Sequence, residues 1–330
     1  MKIKASKIAL YTIPLIAGVF LVWYSLAILT EEEKYAIKNS FKTANYFWIG
    51  CALFMGFLSN LSRAYRFRFM LEPLGYMPNF LNSTMAVFST YLVNLIIPRS
   101  GEVLRAGLHK KYDEIPLNKA LGVIVAERIS DVLMLLIFIA IAFSLQAPVI
   151  ESILFKNSTP TSIALKLLIL IACPFLIVKL YRYFKKSNNA TVKKIVLFIQ
   201  GLGLGIMSIF KMKKKWPFLI HTLIIWALYF IMFYLGTYSL KEIEGITLDA
   251  VVVGFVVGAL SMTITNGGLG VYPVLVALVL TKFGQEKVAA LAFGWILWTC
   301  QTLLVIVGGC LSMVLMPIYN DWLKKKESKG

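Results

Sequence analysis

Acidic side chains are scarce in this sequence. Asp and Glu number 16 against 34 Lys and Arg in 330 residues, a net charge of +18. Charged residues of both signs make up 15% of the chain, where a soluble domain averages about 25%. A water-soluble surface of ordinary composition is therefore excluded. Cysteine is thin as well. Cys51, Cys173, Cys300 and Cys310 all lie in apolar runs, with no CxxC pair and no histidine beside them. That pattern reads as small buried hydrophobes, not as a disulfide framework or a thiolate metal site. There is no P-loop, no HExxH and no Ser-His-Asp set, so nucleotide hydrolysis has no residues here to carry it. Gly201-Leu-Gly203-Leu-Gly205 lacks the strand context and the acidic partner of a dinucleotide site. No metal or cofactor is expected, and no catalytic residue stands out.

What the chain has in abundance is hydrocarbon: 59% apolar residues and a mean hydropathy of +0.77. A surplus of Lys and Arg would suit a nucleic acid, but its uneven placement follows membrane topology instead. Lys2, Lys4 and Lys7 precede the apolar run Ile8–Leu29, which at 22 residues is too long for a signal-peptide core and reads as a retained first span. Further runs occupy Tyr46–Leu61, Phe80–Ile97, Leu117–Leu145, Ile163–Leu180, Trp216–Leu240, Leu248–Ile264, Val271–Leu280 and Ala289–Met316. A shorter run, Ile195–Phe210, is expected at the inner interface between basic clusters.

Charge decides which runs cross. If Phe80–Ile97 crossed, Arg99, Arg105, Lys110 and Lys111 would lie outside, and so would the basic stretch 181–194. Both placements oppose the positive-inside bias. A hairpin that enters from the cytoplasm and turns back removes both conflicts. Outer segments then hold eight lysines and eight acids, so the whole +18 falls on the rest. Val271–Leu280 reaches only about 15 Å as a helix, half the hydrocarbon thickness, and follows the breaker Asn266-Gly267-Gly268-Leu269-Gly270. It reads as the second limb of a hairpin entering from outside.

The expectation is an all-α, polytopic membrane bundle of six full spans and two re-entrant helical hairpins in one domain, residues 1–330. Residues 8–145 form the first half, 146–162 an outer loop, 163–316 the second half and 317–330 a basic cytoplasmic tail. Both termini are cytoplasmic. The halves start on opposite sides, the inverted-repeat plan of transporters whose substrate sits near the midplane.

Three polar constellations lie within these runs. At the first hairpin, Asn94-Leu-Ile-Ile-Pro98-Arg99-Ser-Gly101-Glu102-Val-Leu-Arg105 breaks the helix at Pro98 and Gly101. Arg99 and Arg105 each offer a guanidinium fork matched to phosphate oxygens. Alternatively, Arg99 snorkels among lipid headgroups. In the fourth run, Glu127 and Asp131 share a helix face and Arg128 can pair with Asp131. Glu127 lies about 15 Å into the helix, close to mid-bilayer. This group is open to two readings, a structural ionic knot or a substrate site. At the second tip, Asn266, Gly267, Gly268 and Gly270 permit close backbone approach.

Arg63-Ala-Tyr-Arg66-Phe-Arg68-Phe-Met-Leu71, the Asn94–Arg105 stretch, Glu127-Arg128-Ile-Ser-Asp131 and Gly267-Gly-Leu-Gly270 together resemble the transmembrane region of lysylphosphatidylglycerol synthases, also called the flippase-like domain family, over nearly the whole chain. The resemblance implies an inner-membrane protein that moves an anionic or aminoacylated phospholipid, or an isoprenoid-linked lipid, between leaflets. It also implies that the motif arginines and acids line the headgroup path. Full-length synthases carry a soluble aminoacyltransferase domain after this region, and the sequence ends at Lys324-Lys-Lys-Glu-Ser-Lys-Gly330, so synthase activity is not carried over. Where the family usually has an acid after the glycine motif, Val271-Tyr272-Pro273 stands here.

The expected site therefore comprises Arg99, Gly101, Glu102, Arg105, Glu127, Arg128, Asp131, Asn266, Gly267, Gly268 and Gly270. Arg63, Arg66 and Arg68 are expected to gather anionic lipid at the inner face. A homodimer, or association with a lipid-modifying enzyme, fits the same chain. Two other classes stay open: a transferase using Glu127 or Asp131 as general base on a lipid-linked substrate, and a scaffold subunit.

Overall fold

The computed structural model describes residues 30–97, 100–154, 211–264 and 266–327, with single positions at 23, 27, 200, 204 and 207. The expected spans Ile8–Leu29 and Ile163–Leu180 and the interfacial run Ile195–Phe210 lie outside the described residues, apart from those single positions. The described part is all helical. Its elements are α1 (Glu31–Thr43), α2 (Tyr46–Leu71), α3 (Phe80–Ile96), α4 (Gly101–Tyr112), α5 (Leu117–Leu154), α6 (Lys215–Thr237), α7 (Leu248–Ile264), α8 (Val271–Lys282) and α9 (Lys287–Glu327).

Three of these are long and apolar enough to cross a membrane: Leu117–Ala147, Lys215–Thr237 and Lys287–Lys326. Their outward side chains are hydrocarbon, as in Val125, Ile129, Val132, Leu136 and Ile137 of α5. A soluble helix would carry polar residues there. Some of the exposed aromatics sit at helix ends, with Tyr46 and Phe47 at one end of the bundle and Trp216 and Trp322 at the other. That is where membrane interfaces favour them.

Local chemistry sets the boundaries. Asn45 caps α2 by accepting from the Phe47 N–H, and Asn79 caps α3 by accepting from Leu81 and Asn82. Helix α3 stops where Ile97 turns extended, ahead of Pro98. Between α7 and α8, Gly267 and Gly270 take φ of 60° and 70°, which turns the chain sharply. Three boundaries differ from the hydropathy reading. Helix α2 runs on to Leu71 instead of ending near Leu61. Helix α5 passes a non-helical Gln146 and reaches Leu154. Helix α9 continues through Pro317 to Glu327, so residues 317–327 extend a helix.

Helices α3 and α4 form an antiparallel hairpin. At its base Asp113 accepts from the Asn79 N–H (2.9 Å) and from Asn82 Nδ2 (3.2 Å). At its tip the Asn94 amide oxygen accepts from the Gly101 N–H (2.8 Å). Helices α7 and α8 form a second hairpin, with Tyr272 packed on Gly258 and Leu280 on Gly254. The tips meet: Leu95 of the first hairpin lies against Gly267 of the second, and the Trp298 indole donates to the Gly267 carbonyl (2.7 Å).

Helix α9 fixes the direction of both hairpins. Its 41 residues span about 60 Å. The second hairpin's base joins α9 at Lys287. The first hairpin's base is tied near the far end, where Asn82 and Asn320 exchange amide hydrogen bonds (3.1 and 2.7 Å). The hairpins thus enter from opposite ends of the bundle.

Candidate functional site

Helix α2 supplies Arg63 and Arg66, three residues apart on one face. Both are buried, as is Arg105 from α4, and all three converge on Glu127 and Asp131 of α5. Arg63 Nη1 donates to Glu127 Oε1 (2.7 Å) and Asp131 Oδ2 (2.6 Å). Arg66 Nη2 donates to Asp131 Oδ1 (3.0 Å), and its Nη1 to Thr222 Oγ1 of α6 (2.9 Å). Arg105 Nη1 donates to Glu127 Oε2 (3.0 Å). Arg128 stands at the margin, 3.7 Å from Glu127 and 3.8 Å from Asp131.

Aromatic faces complete the lining. The Arg105 guanidinium sits 4.2 Å from the Phe67 ring centre, and Arg66 sits 5.5 Å from that of Phe218. His109 of α4 stacks on Phe67 as well and bonds Asp113 through Nδ1 (2.8 Å). The knot therefore joins to the hydrogen-bonded base of the first hairpin through one ring.

The charge does not balance. Among the described residues four guanidiniums face two carboxylates, which leaves two positive charges over. The surplus shows in hydrogen bonding too: among the described residues, Nε of Arg63, Arg66, Arg105 and Arg128 and Nη2 of Arg105 are buried without a partner. Buried guanidinium N–H groups without acceptors are costly, and an incoming anion would satisfy them.

The structure divides the expected site in two. Arg105, Glu127, Arg128 and Asp131 come together in the knot. Glu102 does not join them. It sits at the first tip, where its Oε1 accepts from Asn94 Nδ2 (3.3 Å) and its Oε2 is buried without a partner. Gly101 packs against the Thr90 carbonyl, and Gly267, Gly268 and Gly270 pack on Leu95, Met262 and Tyr272 or turn the chain. Arg99 and the side chain of Asn266 lie outside what is described. Arg63 and Arg66 correct the inner-face expectation. With α2 continuing to Leu71 they face the bundle interior, 3% and 0% exposed, and cannot gather lipid at a surface. Arg68 alone stays half-buried, over the Tyr65 ring. Thr222, Phe218 and Phe67 carry no signal in the sequence, being ordinary residues of apolar helices.

The family model for the lysylphosphatidylglycerol synthase transmembrane region matches residues 9–309. The chain belongs to this family. A UPF0104 membrane protein of Methanocaldococcus jannaschii is 30% identical over 141 residues, which cover 42% of this chain and 40% of that relative's length. No solved structure matches. As a member of the lysylphosphatidylglycerol synthase transmembrane family, the protein is an integral membrane protein from a family tied by name to lipid metabolism. The knot draws on three of the four stretches that carried the resemblance, and the fourth, Gly267-Gly-Leu-Gly270, forms the second hairpin tip.

Proposed function

We propose that the protein moves an anionic or aminoacylated phospholipid, or an isoprenoid-linked lipid, between the leaflets of the inner membrane. It does so as two inverted halves, with six spans, two re-entrant hairpins and both termini cytoplasmic. The observation that carries this reading is the buried knot with its two surplus positive charges. Charges at helix centres in hydrocarbon are expensive, at about 2.5–3.5 kcal/mol each before pairing, and as a rule they mark a substrate or ion path.

The packing supports the inverted plan. Helix α2 runs antiparallel to α6, from Trp48 against Tyr238 to Ser62 bonded to His221. Each hairpin's first limb packs on the last helix of the other half. In α3 and α9 the pair is Phe88 with Gly308, and in α7 and α5 it is Phe255 with Phe138. Broken helices at such an exchange are the usual surroundings of a midplane binding site.

The same plan separates function from architecture. A shift of 170 residues carries Gly101 onto Val271 and Leu117 onto Lys287. It also carries Arg66 onto Gly236 and Glu127 onto Leu297, and these two residues touch as their counterparts do. Arg105 falls on Leu275 and Asp131 on Gln301. The second half closes its junction with glycine, leucine and a neutral amide, so the fold does not need charge there. That favours a ligand over a structural knot.

The test is a liposome assay with purified protein and leaflet-labelled lipid. Movement without chemical change is the expected result. A new lipid species would instead establish a transferase, and activity only beside a partner would establish a scaffold. Either outcome overturns the proposal.

A further inference from the structure

Arg128 differs from the other members of the knot. Its side chain is 37% exposed, whereas those of Arg63, Arg66, Arg105, Glu127 and Asp131 are between 0% and 12% exposed. Its contacts to the carboxylates are the longest in the group, and its buried Nε has no partner. It lies about 16 Å into α5 from Leu117. Its neighbours Val125, Ile129 and Val132 are exposed and apolar. A guanidinium half-open among side chains that face lipid is a costly arrangement unless something anionic comes to it.

The groups around this opening are donors, apart from the Asp131 carboxylate, which Arg63 and Arg66 hold. Tyr91 of α3 lies within electrostatic reach of Arg63, Arg128 and Asp131. The Tyr229 hydroxyl of α6 faces Arg63, Tyr91 and Ser59. Arg63, Arg66 and Arg105 are already committed to Glu127 and Asp131 by contacts of 2.6–3.0 Å. Arg128 is not.

We infer that Arg128, Tyr91 and Tyr229 form a phosphate-binding rim on the knot, open sideways to the hydrocarbon, which receives the phosphodiester of a lipid headgroup while the acyl chains stay outside. The fork of Arg128 binds two phosphate oxygens and the tyrosine hydroxyls donate to them. Arg63, Arg66 and Arg105 neutralise the two acids and leave the rim positive. The inference rests on the translocation reading for its lipid source. Binding of the anion itself does not depend on transport.

The experiment uses the full chain in dodecyl maltoside micelles, which carry no phosphate, titrated calorimetrically with dihexanoylphosphatidylglycerol, dihexanoylglycerol and inorganic phosphate. Saturable binding of the phospholipid, and none of the diacylglycerol, is expected. Arg128→Gln weakens that binding roughly tenfold or more, because a hydrogen bond to a charged group is lost. Tyr91→Phe and Tyr229→Phe each weaken it several-fold, and Arg128→Lys falls between Arg128→Gln and the parent. Lys241→Gln, on an exposed loop, leaves affinity unchanged.

Unchanged affinity in a folded Arg128→Gln protein overturns the rim. Should that variant fail to fold, the double variant Tyr91→Phe/Tyr229→Phe decides, and parental affinity there overturns it equally. Inorganic phosphate binding as tightly as the phospholipid overturns the lipid source. Rim-dependent lipid binding by a protein that moves no lipid in the liposome assay supports the rim and removes the transport reading alone.

Discussion

At the scale of single residues, the knot behaves differently when one charge is removed than when a pair is. Glu127 answers Arg63 and Arg105 directly and lies 3.4 Å from Arg66. Glu127→Leu strands the buried Arg105 guanidinium, leaves Arg63 and Arg66 with Asp131 alone, and is expected to cost about 3–5 kcal/mol of stability. Adding Arg105→Leu removes one stranded charge, so the double variant should be more stable than Glu127→Leu alone. Thermal unfolding in detergent, arranged as a double-mutant cycle, measures the difference. An additive cycle would mean that the two side chains are not coupled. Half of this chemistry is legible in sequence. Glu127, Arg128 and Asp131 stand out because charges are rare inside an apolar run. Their partners do not. Hydropathy ends the second span at the first charged residue and hands Arg63 and Arg66 to the cytoplasm. Spacing holds the corrective signal: two arginines three apart on one helix match two acids four apart on another. Tyr91, Tyr229 and Thr222 leave no trace, because one hydroxyl barely changes the hydropathy of a helix.

At the scale of elements, the first hairpin depends on backbone approach at its tip. A Cβ on Gly101 would overlap the Thr90 carbonyl oxygen and press on the Asn94 amide, which caps the turn. Gly101→Ala must part the limbs or break that hydrogen bond, and a loss of about 1–3 kcal/mol is expected. Gly107, on the same helix, has open space around its Cβ position. Gly107→Ala should be neutral or stabilising by up to about 1 kcal/mol. The pair of melting temperatures checks both, and equal effects would remove tip packing as the cause. The breaks between α3 and α4 and between α7 and α8 are legible from Pro98 and the glycine run. The tip contact between Leu95 and Gly267 is not, since a leucine and a glycine carry no address for each other. The extension of α2 to Leu71 and of α9 to Glu327 is hidden for the same kind of reason. Hydropathy reports where apolar residues stop, while a helix goes on as long as its backbone bonds and neighbours hold it.

At the scale of the whole molecule, the proposed transport would use the opposed hairpins to present a charged centre to either face without a continuous polar channel. Each hairpin is anchored at its own end of α9, and among the described residues the two meet at their tips. Under that proposal, a small movement of one hairpin on its base would open one side while the other stays sealed. Asn82 with Asn320 and His109 with Asp113 hold the first base. A short joint from Phe283 to Glu286 holds the second. This arrangement requires the two bases to lie on opposite sides of the membrane. With Cys51, Cys173, Cys300 and Cys310 replaced by alanine, single cysteines at the exposed positions Lys110 and Lys282 report on them. In intact cells Lys282→Cys should react with a membrane-impermeant maleimide, and Lys110→Cys should react only after permeabilisation. Reaction of both from the same side would place both hairpin bases on one face, and two halves of opposite orientation could not then be built from this chain.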